Sequence, residues 1–506
     1  MVYEFKTKQM KKWILNTHIL LALLLGIASM ANAQWLQVGE DIDGEAEGDY
    51  SGESISLSAD GSIIAIGARH NGGNGPNSGH VRVYQNTSGT WTQIGADIEG
   101  EAEYDESGFA VSLSSDGSIV AIGAKYNNGE NGFCGHVRVY QNISGVWMKI
   151  GQDIDGEDAG DGFGEALSLN ANGNIVAIGA RGNDGKFYNA GHVRVYQYIS
   201  SAWLQIGEDI DGEAEDDHSG QSVSICSDGS VVAIGAPRNS GNGQLTGHVR
   251  VFKNVSGTWT QIGEDIDGEG TLDQSGYSLC LNADGSVVAI GAIGNDVSNY
   301  KGHARIYQNN SGTWTQIGQD IDGEDEGDWF GWSVSLSSDG SIVAIGACTN
   351  DGNGNLSGHV QVHQNISGTW TQIAQDIDGE AEGDRSGYSV SLSADGSIVA
   401  IGACFKAGNG INAGHVRVFN NLTIGTDEKL NPMDVSIYPN PSHAKMTLEG
   451  ENIQSLKIIN LKGQIIRETI VSNDQIHLDF SLEPKGVYLI QVITDKSSAL
   501  KKVVLQ

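Results

Sequence analysis

The sequence predicts an all-β protein: a seven-bladed β-propeller followed by a small β-sandwich. Three observations predict this fold. A tryptophan recurs seven times at nearly constant spacing, each repeat contains four strand-like segments, and the pattern changes near residue 434. The steps between the tryptophans are 56, 56, 56, 56, 55 and 56 residues, at Trp35, Trp91, Trp147, Trp203, Trp259, Trp314 and Trp370. A fixed period of this length is typical of repeat architectures, because one unit cannot bury its apolar face alone.

The repeat unit reads as four antiparallel strands. Ser54–Leu57 alternates polar and apolar residues, and Asp60-Gly61 then predicts a two-residue turn. Residues 62–68 are nearly all apolar, which is typical of a strand covered on both faces. The segment 80–84 alternates again, and 91–95 supplies the fourth strand. Seven such sheets arranged radially protect their long edges, as propellers do.

The two ends of the array are complementary. The repeats open with an unpartnered fourth strand at 35–39 and end after an unpartnered third strand at 415–419. Pairing the two segments would complete the seventh blade and close a ring over residues 34–421. An open β-solenoid is the alternative, but it does not explain the complementary ends.

The N-terminal residues 1–33 read as a secretory signal peptide. Lys11 and Lys12 precede an apolar stretch from about residue 19 to 27, and Ala31-Asn32-Ala33 fits a cleavage site. Met1 and Met10 are both candidate start residues. The apolar run is too short for a membrane-spanning helix, and we expect no transmembrane segment.

Charge and cysteine content narrow the class of protein. With 29 basic and 63 acidic residues the net charge is −34, and the acidity lies in the repeats. A nucleic-acid partner is excluded by this sign, and an anionic membrane surface is disfavoured. The five cysteines are an odd number and mostly do not recur, so we interpret them as small buried residues.

Each passage from a fourth strand to the next first strand is acidic, and six of the seven contain the pattern Asp-x-Asp-Gly, as in Asp41-Ile42-Asp43-Gly44. Clustered carboxylates with glycine suit a hard cation, so calcium is the candidate cofactor and no other is expected. A solvated acidic surface is the alternative. The candidate metal ligands are Asp41, Asp43, Asp153, Asp155, Asp209, Asp211, Asp265, Asp267, Asp320, Asp322, Asp376 and Asp378.

The loop between the second and third strands is predicted on the same face, and it varies from repeat to repeat. Its aromatic and basic residues suit a recognition surface that stacks on sugars, with ordinary drift as the alternative. They include Arg69-His70, Lys125-Tyr126, Lys186-Phe187-Tyr188, Pro237-Arg238, Tyr300-Lys301 and Phe405-Lys406. Trp329 and Trp332 also belong to a single repeat.

No catalytic constellation occurs once in the chain, so no enzyme activity is expected. Seven histidines recur at one repeat position and are therefore predicted to be structural: His80, His136, His192, His248, His303, His359 and His415. His218 and Arg385 break the repeat pattern. Finding both beside Trp329 in one pocket would favour an enzyme.

The repeats resemble the FG-GAP repeats of integrin-α-type propellers. Phe163-Gly164 and Phe330-Gly331 each precede a strand, and Gly179-Ala180 and Gly346-Ala347 follow about fifteen residues later. Gly235-Ala236-Pro237 completes the second half of the motif. Five copies carry Ser-Gly in place of Phe-Gly. The resemblance implies a propeller but not the family's metal site, whose hairpin is too short here.

Residues 434–506, after a linker at 422–433, read as short strands. This segment resembles the C-terminal sorting domain of the type IX secretion system of Bacteroidetes, which implies export by that machinery and a secreted or cell-surface location. The residues that carry the resemblance are Tyr438, Pro439, Asn440, Pro441, Gly486, Val487, Tyr488, Lys502, Val503 and Val504.

These features together predict an exported binding protein: an adhesin, or a scaffold that recognises an unidentified extracellular glycan or protein. Two alternatives stay open at this point. One is an extracellular propeller enzyme that acts on polysaccharide, and the other is a purely structural surface or matrix protein.

Overall fold

The computed structural model describes residues 34–129, 132–294, 300–421, 436–438, 444–449, 453–460, 465–470, 475–481, 483–494 and 498–505. The signal peptide and the linker lie outside the described residues. All regular structure in the described residues is β-strand, and contacts divide the chain into two compact units after Thr423. No helix among the described residues is long and apolar enough to cross a membrane.

Strands β1 to β35 form the propeller. The chain begins with β1 (Trp35–Gln37) and β2 (Ile42–Asp43). The first blade contains β3 (Ser54–Leu57), β4 (Ile63–Ala68), β5 (His80–Thr87), β6 (Thr90–Gln93) and β7 (Ile98–Glu99). The second contains β8 (Ser107–Leu113), β9 (Ile119–Ala124), β10 (His136–Ile143), β11 (Val146–Lys149) and β12 (Ile154–Asp155). The third contains β13 (Ala166–Leu169), β14 (Ile175–Ala180), β15 (His192–Ile199), β16 (Ala202–Gln205) and β17 (Ile210–Asp211).

The remaining blades repeat this order. The fourth contains β18 (Ser222–Ile225), β19 (Val231–Ala236), β20 (His248–Val255), β21 (Thr258–Gln261) and β22 (Ile266–Asp267). The fifth contains β23 (Ser275–Leu281), β24 (Val287–Ala292), β25 (His303–Asn310), β26 (Thr313–Gln316) and β27 (Ile321–Asp322). The sixth contains β28 (Phe330–Leu336), β29 (Ile342–Ala347), β30 (His359–Ile366), β31 (Thr369–Gln372) and β32 (Ile377–Asp378). The seventh contains β33 (Ser389–Leu392), β34 (Ile398–Ala403) and β35 (His415–Asn421), completed by β1 and β2.

The predicted ring closure is confirmed. Strand β1 pairs antiparallel with β35, with Trp35 opposite Asn421 and Gln37 opposite Phe419. The first strands of neighbouring blades contact one another all the way round, including β3 with β33. The fold is therefore a closed seven-bladed propeller with the first strand of each blade innermost.

The prediction of four strands and a two-residue turn per blade needs two corrections. The fourth strand is interrupted at a glycine, and two further residues pair with the start of the third strand, as Ile98 does with Val81. Asp43 and its equivalents therefore lie in a short strand and not in a loop. The first turn is also longer than predicted, since residues 58–62 connect β3 to β4 and Gly61 has a φ of 69°.

The recurring tryptophans join the outer strands of neighbouring blades. Each indole N–H donates a hydrogen bond to a backbone carbonyl of the preceding blade, as Trp91 Nε1 does to Val38 O at 2.8 Å. The series closes through Trp35 Nε1 and Ile373 O at 3.3 Å. A serine performs the equivalent role on the innermost strands, where the amide of Leu113 donates to Ser56 Oγ at 2.9 Å. The residues that recur about every 56 positions thus form hydrogen bonds between blades as well as the strands within each blade.

The paired glycines of the repeat mark the closest approach of adjacent blades. A Cβ added to Gly123 would lie 2.0 Å from the carbonyl oxygen of Gly164 in the next blade. Gly164 has a φ of 87°, a conformation that L side chains rarely adopt. Phe163, which precedes it, is fully buried. The motif therefore allows adjacent blades to pack closely. Because this close approach requires glycine, glycine recurs even where serine replaces phenylalanine.

The five cysteines are thiols, and four of them are buried. Burial raises the pKa of Cys348 to about 12 and the pKa of Cys404 well above its ordinary value. Because the thiolate is the reactive form, we expect these thiols to resist modification in the folded protein. Treatment with a thiol reagent should label Cys134, Cys226, Cys348 and Cys404 only after unfolding. Rapid labelling of all four in native buffer would contradict this packing.

The C-terminal unit is a small β-sandwich. One sheet contains β36 (Ser436–Tyr438), β37 (Lys445–Glu449) and β40 (Gln475–Asp479). The other contains β39 (Ile465–Ile470), β38 (Ile453–Asn460), β41 (Gly486–Thr494) and β42 (Ser498–Leu505). Leu448, Phe480 and Ile490 are buried in its core.

Candidate binding site

The predicted metal ligands lie beside the recurring histidines. In four of the six predicted Asp-x-Asp pairs the first aspartate contacts the buried histidine at the start of the third strand. The separations are 3.3 Å for Asp41 and His415, and 3.7 Å for Asp209 and His192. The second aspartate of each pair belongs to the short fifth strand, as Asp155 does. The structure therefore brings the first predicted position together with a nitrogen donor, and ligand atoms of Asp41, Asp43 and His415 all lie within 4.8 Å of one another.

In six blades an arginine near these aspartates forms an ion pair with a glutamate. It lies two residues after the histidine and contacts a glutamate from the acidic loop of the preceding repeat, as Arg82 contacts Glu45 at 3.5 Å. The other pairs are Arg138 with Glu101, Arg194 with Glu157, Arg250 with Glu213, Arg305 with Glu269, and Arg417 with Glu380. An imidazole and a guanidinium fit a calcium cage of oxygens poorly. Calcium binding by the twelve aspartates stays a prediction.

The last acidic residue of each loop has a structural role. Asp161 is buried, accepts a hydrogen bond from the Asn183 side chain at 2.9 Å and one from the amide of Asp158 at 3.2 Å. Asp328 makes the same contacts with Asn350 and Asp325. These aspartates hold each acidic loop against the loop between the second and third strands. The prediction that both loops lie on one face is therefore confirmed.

The recurring histidines make stability depend on pH. Burial, followed by the neighbouring arginine, lowers the pKa to about 4 for His80, His136, His192 and His248. An unfolded histidine titrates near pH 6.5, so below that value the unfolded chain binds protons that the folded chain does not. We therefore expect full stability above pH 6.5 and a progressive loss between pH 6.5 and 4. Urea denaturation at several pH values checks this, and His136→Gln should reduce the slope. A pH-independent midpoint would contradict it.

One position at the top of the innermost strands has no single recurring residue, and five residue types occupy it in the seven blades. It follows the Ser-Gly or Phe-Gly pair and lies where the acidic loop enters the blade. We call its seven residues the mouth ring: Glu53, Phe109, Glu165, Gln221, Tyr277, Trp332 and Tyr388. Sequence reasoning identified Trp332 but missed the other six. These six residues could have been found from the sequence, because their repeat position lacks a common residue whereas most positions of the repeat have one.

The first part of the mouth ring is charged. Arg69 Nε donates to Glu53 Oε2 at 2.6 Å, and Arg69 Nη1 lies 3.1 Å from Glu106 Oε2. The same guanidinium lies 4.9 Å from the centre of the Phe109 ring. Arg69, from the variable loop predicted as a recognition surface, thus connects two blades at the mouth.

The charged network continues into the third and fourth blades. Lys125 Nζ lies 3.2 Å from Glu165 Oε2 and 4.6 Å from the centre of the Phe109 ring. Arg181 Nε contacts the same oxygen of Glu165 at 2.9 Å, and its Nη1 donates to Gln221 Oε1 at 2.6 Å. Lys125 and Glu165 are both buried. These polar groups are thus held in fixed positions.

The other part of the mouth ring is aromatic. Trp332 lies 4.8 Å from Tyr277 and 5.1 Å from Tyr388, measured between ring centres. Trp329 stacks on Trp332 at 5.3 Å with an angle of 11° between the rings. Phe405 extends the series at 6.2 Å from Tyr388. The result is a continuous aromatic surface across three blades.

The two parts meet where Tyr388 donates a hydrogen bond from its hydroxyl to Glu53 Oε1 at 3.2 Å. Burial raises the pKa of Glu53, against the opposing effect of Arg69. Burial also raises the pKa of Tyr277 and Tyr388, so both keep their hydroxyl protons at neutral pH.

The residues that precede the Ser-Gly or Phe-Gly pair have a left-handed backbone. Their φ angles lie between 51° and 56° at Tyr50, Glu106, His218, Gln274, Trp329 and Arg385. This conformation is unfavourable for residues other than glycine, and the third blade carries Gly162 there. The repeat thus holds a different side chain at the same strained position in six blades.

The structure does not bring His218, Arg385 and Trp329 together. His218 lines a cavity of about 480 Å³ with Arg181 and Arg238, and burial lowers its pKa to about 4. Arg385 lies over the Phe405 ring at 4.5 Å, and Trp329 stacks on Trp332. Neither residue lines the His218 cavity. The single pocket that would have favoured an enzyme is not formed by the described residues.

The C-terminal motif residues lie in the sandwich or outside the described residues. Tyr438 ends β36, while Pro439, Asn440 and Pro441 are not described. Gly486 begins β41, and Tyr488, which is buried, donates its hydroxyl to Pro484 O at 2.7 Å. Lys502 lies in β42 opposite Leu489.

Comparison with known proteins identifies two segments. Residues 436–506 match the family described as the secretion system C-terminal sorting domain, and residues 321–363 match the FG-GAP repeat. The predicted resemblances are therefore confirmed. The sorting domain is of the type IX system, which indicates recognition by that machinery, export, and either attachment to the outer cell surface or secretion.

One solved structure that the chain resembles is entitled a "putative 6-phosphogluconolactonase" from Bacteroides uniformis ATCC 8492. The identity is 12% and the TM-score 0.46, and the match covers 65% of this chain and 86% of that one. The comparison with curated proteins gives no match.

Proposed function

We propose that this exported β-propeller protein binds an extracellular carbohydrate at the mouth ring. The observation that carries the proposal is the ring itself. Seven equivalent positions at the top of the innermost strands carry three polar or charged residues, Phe109, and three large aromatic residues in adjacent blades. A propeller that needed these positions only for packing could repeat one residue, as it does with tryptophan and histidine.

The chemistry of the ring suits a sugar. Aromatic faces such as those of Trp332 and Tyr388 stack on the apolar face of a pyranose ring. The fixed carboxylates accept hydrogen bonds from the hydroxyl groups of the sugar, and the fixed guanidinium groups donate hydrogen bonds to them. Arg69 and Arg181 are already held by glutamates, so a ligand meets preformed groups and loses little of its binding energy to ordering them. Adhesion to glycan-coated surfaces and capture of soluble polysaccharide would both use such a site.

An array of immobilised polysaccharides and oligosaccharides tests the proposal. We expect the purified protein to bind a subset of the carbohydrates, and the double variant Tyr277→Ala/Tyr388→Ala to lose that binding. The matched control is Tyr104→Ala/Leu204→Ala, because these residues are 54% and 51% exposed and lie outside the ring and outside the variable loops. Binding that survives in the ring variant, or no carbohydrate bound by the unaltered protein, would refute the proposal.

Cleavage of the bound carbohydrate is a second candidate, which Glu53 favours. Its pKa is raised by burial, and a carboxyl group of raised pKa is what a general acid requires. Incubation with the carbohydrates found on the array, followed by a reducing-sugar assay, tests this function. Product formation that Glu53→Gln abolishes supports an enzyme, and intact carbohydrate after long incubation supports binding alone.

A further inference from the structure

The third blade leaves a gap among the side chains around the mouth. The position before the Ser-Gly or Phe-Gly pair holds a large or polar side chain in six blades, whereas the third blade has Gly162 there. The second residue after its second strand is Gly182, where the two neighbouring blades have Tyr126 and Arg238. Both glycines line the cavity of about 480 Å³ that His218 also lines. The His218 cavity therefore lies where the third blade lacks two side chains that its neighbours have.

The cavity carries an excess of positive charge in a strongly acidic protein. Three cations line it, Lys125, Arg181 and Arg238, against two carboxylates, Glu165 and Asp161. Lys125 and Arg181 contact the same oxygen of Glu165, so one carboxylate serves two cations. Asp161 is already used to hold the acidic loop. Arg238 is exposed and forms no ion pair with any residue that the structure describes, so its charge is available to a ligand.

The imidazole of His218 experiences the same positive field. After burial, the guanidinium groups of Arg238 and Arg181 have the largest effects on its pKa, and both lower it. The neighbouring Asp216 and Asp217 raise the pKa by less. The imidazole is therefore neutral at pH 7, and its two nitrogens supply one hydrogen-bond donor and one acceptor. An anionic group that enters the cavity is attracted by two guanidinium groups and meets a neutral polar ring.

We propose that the His218 cavity binds the carboxylate of an acidic sugar unit, an inference that rests on the proposed carbohydrate function. A guanidinium such as that of Arg238 pairs with a carboxylate through two parallel hydrogen bonds, which are stronger than hydrogen bonds to a neutral hydroxyl group. Tyr126 and Phe133 are exposed and also line the cavity, so they offer aromatic faces to the sugar ring. The volume of the cavity is typical of sites for small ligands.

The net charge of the chain removes the commonest alternative explanation for the binding of an acidic polysaccharide, which is nonspecific attraction. With a charge of −34 the protein as a whole repels a polyanion. Tight binding of an acidic carbohydrate therefore requires a local cationic site. The His218 cavity supplies one beside the mouth ring, since Lys125, Glu165 and Arg181 belong to both.

Isothermal titration of the protein with acidic oligosaccharides and with their carboxyl-reduced forms tests the inference. The two forms have the same linkages and differ in charge. The panel contains fragments of polygalacturonate, alginate and hyaluronate and one oligosaccharide that ends in sialic acid, so it distinguishes a uronate within a chain from a terminal acidic sugar. We expect at least one acidic member to bind about tenfold more tightly than its reduced form, because hydrogen bonds between charged groups are lost on reduction.

Two variants and a control locate the acid group. Arg238→Gln removes the unpaired charge and should abolish the preference for the acidic form. Gly162→Gln fills the gap and should do the same, and the fold accepts a side chain there because Gln274 has a φ of 55° at the equivalent position. The matched control is Lys253→Gln, which removes an exposed cation from β20 of the fourth blade and should keep the preference.

The outcomes separate this inference from the proposed function. Equal affinity for acidic and reduced forms, or binding of neutral carbohydrates alone, would overturn the inference and leave the proposed function standing. Binding of no carbohydrate at all would refute both. A preference for the acidic form that persists in Arg238→Gln and in Gly162→Gln would show that the carboxylate binds elsewhere, and would also overturn the inference.

Discussion

Replacing Gly123 with alanine is expected to destabilise the propeller by about 3 kcal/mol, a large effect for one methyl group. The new Cβ would lie 2.0 Å from the carbonyl oxygen of Gly164, and both groups belong to backbone between two packed blades. Neither blade can move without breaking the bonds that join it to its other neighbour. Urea denaturation followed by tryptophan fluorescence measures the effect on the propeller alone, because the C-terminal unit contains no tryptophan.

The matched control is Gly72→Ala. Gly72 is exposed, and the nearest atom to an added Cβ is Gly75 O at 3.8 Å. We expect this variant to change the free energy of unfolding by no more than about 0.5 kcal/mol. Equal unfolding midpoints for the two variants would show that the glycine pairs do not set the distance between blades.

Trp332→Ala is expected to weaken carbohydrate binding about 30-fold or more. Trp332 lies between Trp329, Tyr277 and Tyr388, so its removal breaks the aromatic surface at its centre. Central aromatic residues of binding sites commonly contribute about 2 kcal/mol or more, and each 1.4 kcal/mol corresponds to a factor of ten in affinity. Isothermal titration with an oligosaccharide that the unaltered protein binds measures the change.

Trp332→Phe serves as the conservative control and should recover part of the affinity, because it keeps an aromatic face. Tyr104→Ala should leave the affinity unchanged, since Tyr104 is exposed and lies outside the mouth ring. If Trp332→Ala bound as tightly as the unaltered protein, the ligand would not contact the aromatic part of the ring.

The fold was predictable because its determinants recur. Trp91 and its six equivalents mark the period, and their indole bonds to the preceding blade explain why the period persists. Ring closure followed from two incomplete blades, since β1 supplies the partner that β35 lacks. The short fifth strand was not predicted, because two residues beside a glycine carry too weak a pattern of alternation.

The candidate site was less predictable, because it depends on side chains brought together from different repeats. Glu53 and Tyr388 are 335 positions apart in sequence and adjacent in space only after the ring closes. The acidic loops were visible in the sequence, but their arginine partners were not, since Arg82 reaches the loop of the preceding repeat.

The measurement that tests the central claim most directly is hydroxyl-radical footprinting of the protein with and without a bound oligosaccharide. The account predicts lower oxidation of Trp329, Trp332 and Tyr388 in the complex, with no change at exposed outer-strand residues such as Leu204 and Met148. Protection confined to the outer strands, with the mouth ring oxidised equally in both states, would contradict it.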